Sequence, residues 1–516
     1  MDTYNKGLFA NWVPKNLTYL LIGLITLPII TIAGVYTSVA TNIASEMAVY
    51  TEYITLASNA STIGMGVAFP IVLRLKARFR TKEIITFSAI ILSLLSFMCG
   101  TTDSPIVLLI CSLLIGFFKT LIMIEMLLPL MVIISPGGNR GIFYSVFYPI
   151  SIGFGQITGY YFAELVYDGN WQSPYFLMSA IMLIVALISI VFQHNQRFAF
   201  KMPLHQIDWL SLVLLCASFM CFNYFFVFMK QQAWFTSKFI IASGILGIIF
   251  LALLFYRQRF LKRKLIDAVA FSRKNVLHAA VLLICMGVYL AVTTVYTQYT
   301  MGVLGYSYFT NASSNLWMLP GIIIAGGLAY LGFKNKWYIK YFIASGFACL
   351  FLHTLSLYLI IQPQMDIRYL EYSLILKGMG MTILYIGIWF YACLNLSMNQ
   401  LLGMMTILIM VRSFLATAMG SALLGWASYQ AQWQSLSDLS NYLDIGVIGD
   451  SMSSYKTMSV NAMLSSWKIV LGSLCWFIVP IMLYISTHKY GKFYYRRMVL
   501  LRKRIRGNST KGFKLS

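Results

Sequence analysis

Apolar runs long enough to cross a bilayer recur fourteen times along the chain, separated by short polar turns. They lie near residues 17–44, 53–75, 83–102, 105–134, 141–167, 171–193, 207–229, 235–256, 275–302, 311–333, 338–361, 369–396, 401–430 and 465–486. An α-helix rises 1.5 Å per residue, so about 20 apolar residues span a hydrocarbon core about 30 Å thick. Lipid offers no water to backbone amides, which leaves helices or a closed barrel as spanning structures. Barrel strands are about 10 residues of alternating polarity, and these runs are much longer and do not alternate. The pattern predicts an all-α polytopic membrane protein with 14 transmembrane helices.

Composition agrees, with 59% hydrophobic and 10% charged residues against about 25% charged in a soluble domain. The N-terminus shows no cleavage pattern, so the first run reads as a retained helix. All eight cysteines fall inside the runs without metal-site spacing and read as apolar packing residues; no metal or cofactor is implied. No Gly-Lys phosphate loop is present to support direct ATP drive.

The net charge of +23 changes meaning once placed. Arg74, Lys76, Arg78, Arg80 and Lys82 fill the turn between runs 2 and 3; Arg257–Lys264, Arg273 and Lys274 fill that between runs 8 and 9. Lys334, Lys336 and Lys340 follow run 10, and the tail after 486 is dense in Lys and Arg. The alternate turns carry Glu46, Asp103, Asp168, Asp366, Asp438, Asp444 and Asp450 instead. By the positive-inside rule both termini face the cytoplasm. The tail is expected to rest on anionic headgroups, and the charge speaks for a lipid bilayer rather than nucleic acid.

The two ends of the chain resemble each other weakly. VLRLKARFRTKEII and YLGFKNKWYIKYFI each follow the second run of a six-run set; SLLIGFFKTLIM in run 4 and LILKGMGMTILY in run 12 each centre on glycine near a lysine. Internal repeats around a central site are the usual architecture of secondary transporters. The expected division is an N-terminal six-helix bundle at 1–200, an inserted two-helix hairpin at 201–260, a C-terminal six-helix bundle at 261–486 and a basic tail at 487–516. No soluble domain large enough to fold alone is expected; residues 431–464 read as a solvated outward loop.

In this order, the motifs resemble the fourteen-helix drug/proton antiporter branch of the major facilitator superfamily. SIGFGQITGYYFAEL followed by DGNWQSPYF is similar to that branch's glycine-rich antiporter motif, with Gln156 where proline is usual. IDWLS, AWF, KLIDAVAFSRKNV, VLGYSYFTNASSNLWMLPG, LKGMGM and MVRSFLATAMG fall on the corresponding helices. The resemblance implies a major facilitator fold in the inner membrane and proton-coupled export of amphipathic organic molecules or drugs by alternating access. Some members also hand substrate to a periplasmic adaptor and an outer-membrane channel. Departures are equally plain. Ala77 and Arg80 stand where the basic turn carries an aspartate and a glycine, Ser112 where an arginine is expected, and run 1 lacks its aspartate. These changes leave open a dedicated transporter of one metabolite (a siderophore, lipid or fatty acid, with anionic character in view) and non-standard coupling.

An ionisable group inside a span costs at least about 2.5–3.5 kcal/mol and needs a partner, a wet cavity or a function. Glu125 in run 4 is the candidate proton-coupling residue, with a structural ion pair to a lysine as the alternative. Lys119, six residues earlier and so about 120° round the helix, should serve another surface. Lys119, Lys377 and Arg412 are the candidate cavity charges; three cations against one acid favour an anionic substrate, with snorkelling lysine stems the bland alternative. Asn42, Asn59, Gln156, Asn223, Tyr296 and Gln298 are the candidate lining of the substrate cavity, and Arg78, Gly155 and Gly159 the candidate cytoplasmic gate. His353 reads as a packing histidine. No Ser/His, Cys/His or paired-carboxylate constellation in the spans points to an enzyme.

Overall fold

The computed structural model describes residues 8–488 and 490, apart from 136–137, 195–206, 233, 262–272, 395, 397 and 441–450. Most of the linkers expected around the inserted pair, and the basic tail beyond 490, lie outside the described residues.

In chain order the helices are α1 Lys15–Thr31, α2 Ala40–Glu46, α3 Thr51–Arg78, α4 Thr81–Thr101, α5 Pro105–Ile134, α6 Arg140–Tyr167 and α7 Ser173–Phe192. Then come α8 Trp209–Phe228, α9 Lys238–Phe260, α10 Lys274–Leu290, α11 Val292–Gln298, α12 Tyr308–Asn315, α13 Met318–Lys334 and α14 Ile339–Ile360. The last four are α15 Ile367–Ala392, α16 Met398–Met410, α17 Thr417–Ser440 and α18 Ser451–Thr487. Among the described residues eleven helices are long and apolar enough to cross a membrane, against the fourteen crossings expected. The chain is an all-α, multi-pass membrane protein.

Three of the runs are interrupted, and the breaks in the first and thirteenth account for part of the difference. The first run is broken: α1 ends at Thr31, residues 32–36 are unwound, and a 3₁₀ turn at Thr37–Val39 leads into α2. The ninth is bent between α10 and α11 and ends in a π segment at Tyr299–Val303, and the thirteenth is split by a π segment at Val411–Ala416. Conversely, the stretch expected as a solvated loop at 431–464 is largely helical, because α17 continues to Ser440 and α18 begins at Ser451.

The break in run 1 frees backbone carbonyls far from water, and each needs a donor. Lys119 Nζ donates to Ile30 O (2.8 Å) and Ile32 O (2.7 Å), and Tyr175 Oη donates to Gly34 O (3.1 Å). A lysine at a helix C-terminus also meets the negative end of the helix dipole. Gly34 is required here, since a Cβ would collide with Ser112.

Without a hydrophobic drive between helices in lipid, close packing at small residues holds the bundle. α3 lies against α5 through Gly64 and Gly116: a Cβ at Gly116 would strike Ser61 O, and one at Gly64 would strike Leu113 O. α13 lies against α15 in the same way, Gly321 on Ile375 O and Gly378 on Met318 O. The neighbouring pairs match too, α4 with α7 in the first part of the chain and α14 with α18 in the second. Contacts between the two sets run through α3 with α16 and α6 with α13.

α8 and α9 form a hairpin seated on α3 and, more lightly, on α17. Asp208 caps α8: Ser211 N donates to its Oδ1 and Ser211 Oγ to its Oδ2. Arg257 of α9 closes the same end by donating to Asp208 at 2.9 Å, which is the structural reason for the IDWLS motif.

Valine at Gly116 or Gly378 should therefore cost about 1–3 kcal/mol or more by overpacking, while Gly23→Ala, with open space around its Cβ, should stay within about 0.5 kcal/mol. Thermal unfolding of the purified variants in detergent checks this, and equal midpoints for all three would refute the contact.

Burial pushes the Asp208 carboxyl up, but Arg257 and Ser211 more than offset it and hold it below the ordinary carboxylate value. A depressed folded-state pKa gives stability that is complete above the unfolded value, about 3.9, and is lost as pH falls through the folded value. The hairpin should thus be insensitive to pH from neutral down to about 4 and loosen below it. Asp208→Asn should remove that acid step from hydrogen exchange of α8 and α9.

Candidate functional site

The charged residues of the basic turn and of run 4 meet at one point. α3 reaches its basic end with Lys76 in the last turn, turned inward and 4% exposed, and Glu125 of α5 is 1% exposed. Lys76 Nζ donates to Glu125 Oε2 at 2.8 Å, and Thr81 Oγ1 at the start of α4 donates to the same oxygen at 3.1 Å. Glu125 Oε1 is buried with no hydrogen-bond partner. One oxygen thus carries the pair and the other is left bare.

The sequence read Lys76 as one of several solvated cations of the turn. The structure corrects this, since α3 continues to Arg78 and carries Lys76 onto α5. The other cations of the turn go elsewhere. Arg80 N donates to Glu83 Oε2 (2.9 Å), Lys82 Nζ donates to Ile190 O at the end of α7 (2.6 Å), and Arg78 is exposed.

Lys119, on another face of α5, closes the break in run 1 as described. Lys377 is buried in α15 next to the Gly378 crossing. Arg412 lies in the π segment, its guanidinium carbon 4.4 Å from the centroid of the Tyr385 ring. Tyr385 stacks in turn on Tyr148 of α6, with centroids 6.1 Å apart and planes at 17°. A cation over an aromatic face is worth about 0.5–2 kcal/mol, and the stack of Tyr385 on Tyr148 joins the two parts of the chain. Lys119, Lys377 and Arg412 form no ion pair among the described residues.

The polar candidates divide. Asn59 Nδ2 donates to Asn223 Oδ1 (2.9 Å), and Asn223 Nδ2 donates to Leu56 O (2.9 Å), so these two bind the hairpin to α3. Tyr296 is buried with its hydroxyl unpartnered, Gln298 is exposed, and Asn42 and Gln156 are half-buried. His353 is buried and its Nδ1 meets Ser373 Oγ at 2.8 Å.

The gate candidates are separated. α6 starts at the basic end with Arg140, so Gly155 and Gly159 lie about 22 and 28 Å along it, in the opposite half, where Gly159 approaches Ser38. They do not share an end of the bundle with Arg78. The closure that the structure does contain at the basic end went unread in the sequence: Arg140 Nη1 donates to Cys393 O (3.0 Å), and the Tyr144 hydroxyl meets Cys393 Sγ (3.3 Å). At the opposite end Tyr167 stacks on Phe309 (5.1 Å) and Tyr160 tilts against it (5.6 Å). α6 is therefore pinned to the second part of the chain at both ends. Arg140 sits just inside the start of α6 and the tyrosines have no spacing of their own, so no local pattern marked them.

Comparison with protein-family models finds no match, and comparison with curated protein sequences finds none. Among solved structures the chain is similar to the nucleoside transporter NupG, with a TM-score of 0.53 and 14% identity over 92% of this chain and 100% of that one. A bacterial homologue of the human lysosomal transporter Spinster, inward-facing and unoccupied, matches with a TM-score of 0.53 and 13% identity over 90% and 95%. The human organic anion transporter MFSD10 matches with a TM-score of 0.52 and 9% identity over 92% and 100%. The chain has the major facilitator fold. All three relatives in fold are membrane transporters rather than enzymes.

Breaking the buried pair from one side should be costly. Lys76→Met leaves a buried carboxylate and should destabilise by about 3–5 kcal/mol, whereas Lys76→Met with Glu125→Gln removes both charges and should recover most of it. The ordering of the unfolding midpoints checks this; a double variant no better than the single one would refute the pairing.

Proposed function

We propose that the protein is a secondary active transporter of the inner membrane, with both termini cytoplasmic and fourteen crossings built as two six-helix bundles and an inserted pair. In this reading it exports amphipathic organic molecules by alternating access, driven by protons. Matching crossings of α3 with α5 and of α13 with α15 support the two-bundle division. The order of the antiporter-like motifs supports the drug/proton branch. The relatives in fold carry no name that points to an adaptor or outer-membrane channel, so neither enters the proposal.

The observation that carries the coupling mechanism is Glu125 with one oxygen on Lys76 and the other bare. With Lys76 in contact the carboxylate has its counter-charge, and withdrawal of α3 would take that counter-charge away. Proton uptake and the position of α3 are thereby linked. Opening at the basic end would break Arg140 from Cys393; opening at the other would part Tyr160 and Tyr167 from Phe309.

The substrate pathway is assigned to Gln156, Asn42, Tyr296 and Gln298, while Asn59 and Asn223 serve as a strut between α3 and α8. Lys119, Lys377 and Arg412 without paired acids leave an excess of positive charge inside the bundle. That favours substrates with an acidic group, the second reading from the sequence, in which the protein is dedicated to one anionic metabolite.

Glu125→Gln fixes the site neutral while keeping its shape. In inverted vesicles with an imposed ΔpH, uphill accumulation should be lost, as loss of an obligatory proton carrier requires. Exchange of substrate down its own gradient should persist. Uphill accumulation by Glu125→Gln would place the coupling elsewhere and leave Glu125 as the counter-ion of Lys76.

A further inference from the structure

A cleft of about 500 Å³ opens between α14 and α18 at the end of the bundle opposite the basic turns. It is remote from Glu125 and independent of the transport reading. Tyr358, Leu464 and the backbone at Gly472 give its lining apolar surface, and Gln362, Asn461 and Lys468 give it polar groups.

Depth fixes what this cation meets. The basic end of α18 is held at the last turn, where Lys340 Nζ donates to Ser486 O at 2.6 Å. Lys468 lies nineteen residues before Thr487, about 28 Å along the helix, which is the thickness of the hydrocarbon core. Its ammonium therefore sits at the phosphate level of the far leaflet. Lys468 forms no ion pair and no hydrogen bond among the described residues, so its counter-charge must come from outside them.

The walls are preformed. The Tyr299 hydroxyl donates to Gln362 O (2.7 Å) and accepts from Gln362 N (3.2 Å), which fixes the turn after α14. The Tyr299 ring stands edge-on to Trp467 at 6.2 Å, which fixes α18 beside it. One helical turn deeper than Lys468, Gly472 has no side chain, and its nearest wall is the Tyr358 ring, 3.5 Å from where a Cβ would be. The glycine backbone and that ring thus meet in ordinary contact and close the inner end of the cleft.

We propose that this cleft is a binding site for an anionic phospholipid of that leaflet, its phosphate on Lys468 and one acyl chain along the apolar wall at Tyr358 and Ile469. A basic pocket between spanning helices is a recurrent way of holding an acidic headgroup. Charge complementarity selects the occupant: a cation with no paired acid among the described residues calls for a headgroup with net negative charge.

Native mass spectrometry of the full chain, delipidated and incubated with phosphatidylglycerol or phosphatidylcholine, tests this. The wild type should retain phosphatidylglycerol in preference, and Lys468→Gln should cut that retention by about fivefold while Lys468→Arg keeps it. Gly472→Leu should reduce retention of both lipids. Glycerol phosphate, which has the charge without chains, should not raise the unfolding midpoint as phosphatidylglycerol does. The proposal fails if Lys468→Gln retains phosphatidylglycerol fully, if Lys456→Gln has the same effect, or if glycerol phosphate stabilises equally, which would make this a site for free phosphate.

Discussion

Backbone-to-backbone contact between helices is the constraint on which this structure rests. In lipid there is no gain from hiding one apolar surface against another, so affinity between helices must come from proximity. Gly64 with Gly116, and Gly321 with Gly378, allow that proximity at matching places in the two parts of the chain. Once α3 is locked to α5, Lys76 and Glu125 are carried within hydrogen-bond reach of each other at the end of the same crossing. The interior ion pair is thus a consequence of glycine packing as much as of charge.

Interior charge is then resolved locally, and differently at each site. Glu125 takes Lys76; Lys119 takes carbonyls released by the break in run 1; Arg412 takes the face of Tyr385. Asp208 takes Arg257 and closes the α8–α9 hairpin. These are four ways of meeting one cost, that of a charge held away from water. They differ in what a proton would do. Only the Glu125 arrangement combines an ionisable acid, a buried setting and a vacant oxygen, which is why the coupling proposal centres there.

The sequence by itself determined the class of molecule. Long apolar runs and the alternation of basic turns can be read without neighbours, because membrane thickness and insertion energetics act on each segment alone. Glycine at Gly378 also signalled a close approach, since only a small residue has that use in a spanning helix. Local sequence likewise separated Lys119 from Glu125, because six residues on a helix set an angle of about 120° whatever surrounds it.

What only the tertiary structure decided was the partner of each polar group. Lys76 looked like a turn cation until α3 carried it against Glu125, and Asn59 and Asn223 looked like pathway residues until they met across α3 and α8. The interruption of run 1 was unread because residues 32–44 stay apolar enough to continue a span; a lysine 87 residues away takes up the freed carbonyl of Ile32. Arg140 and Cys393 are 253 residues apart. Contacts of that separation depend on how two sets of helices are placed. No periodicity within one segment encodes that placement, so hydropathy gives the helices and packing alone gives the site.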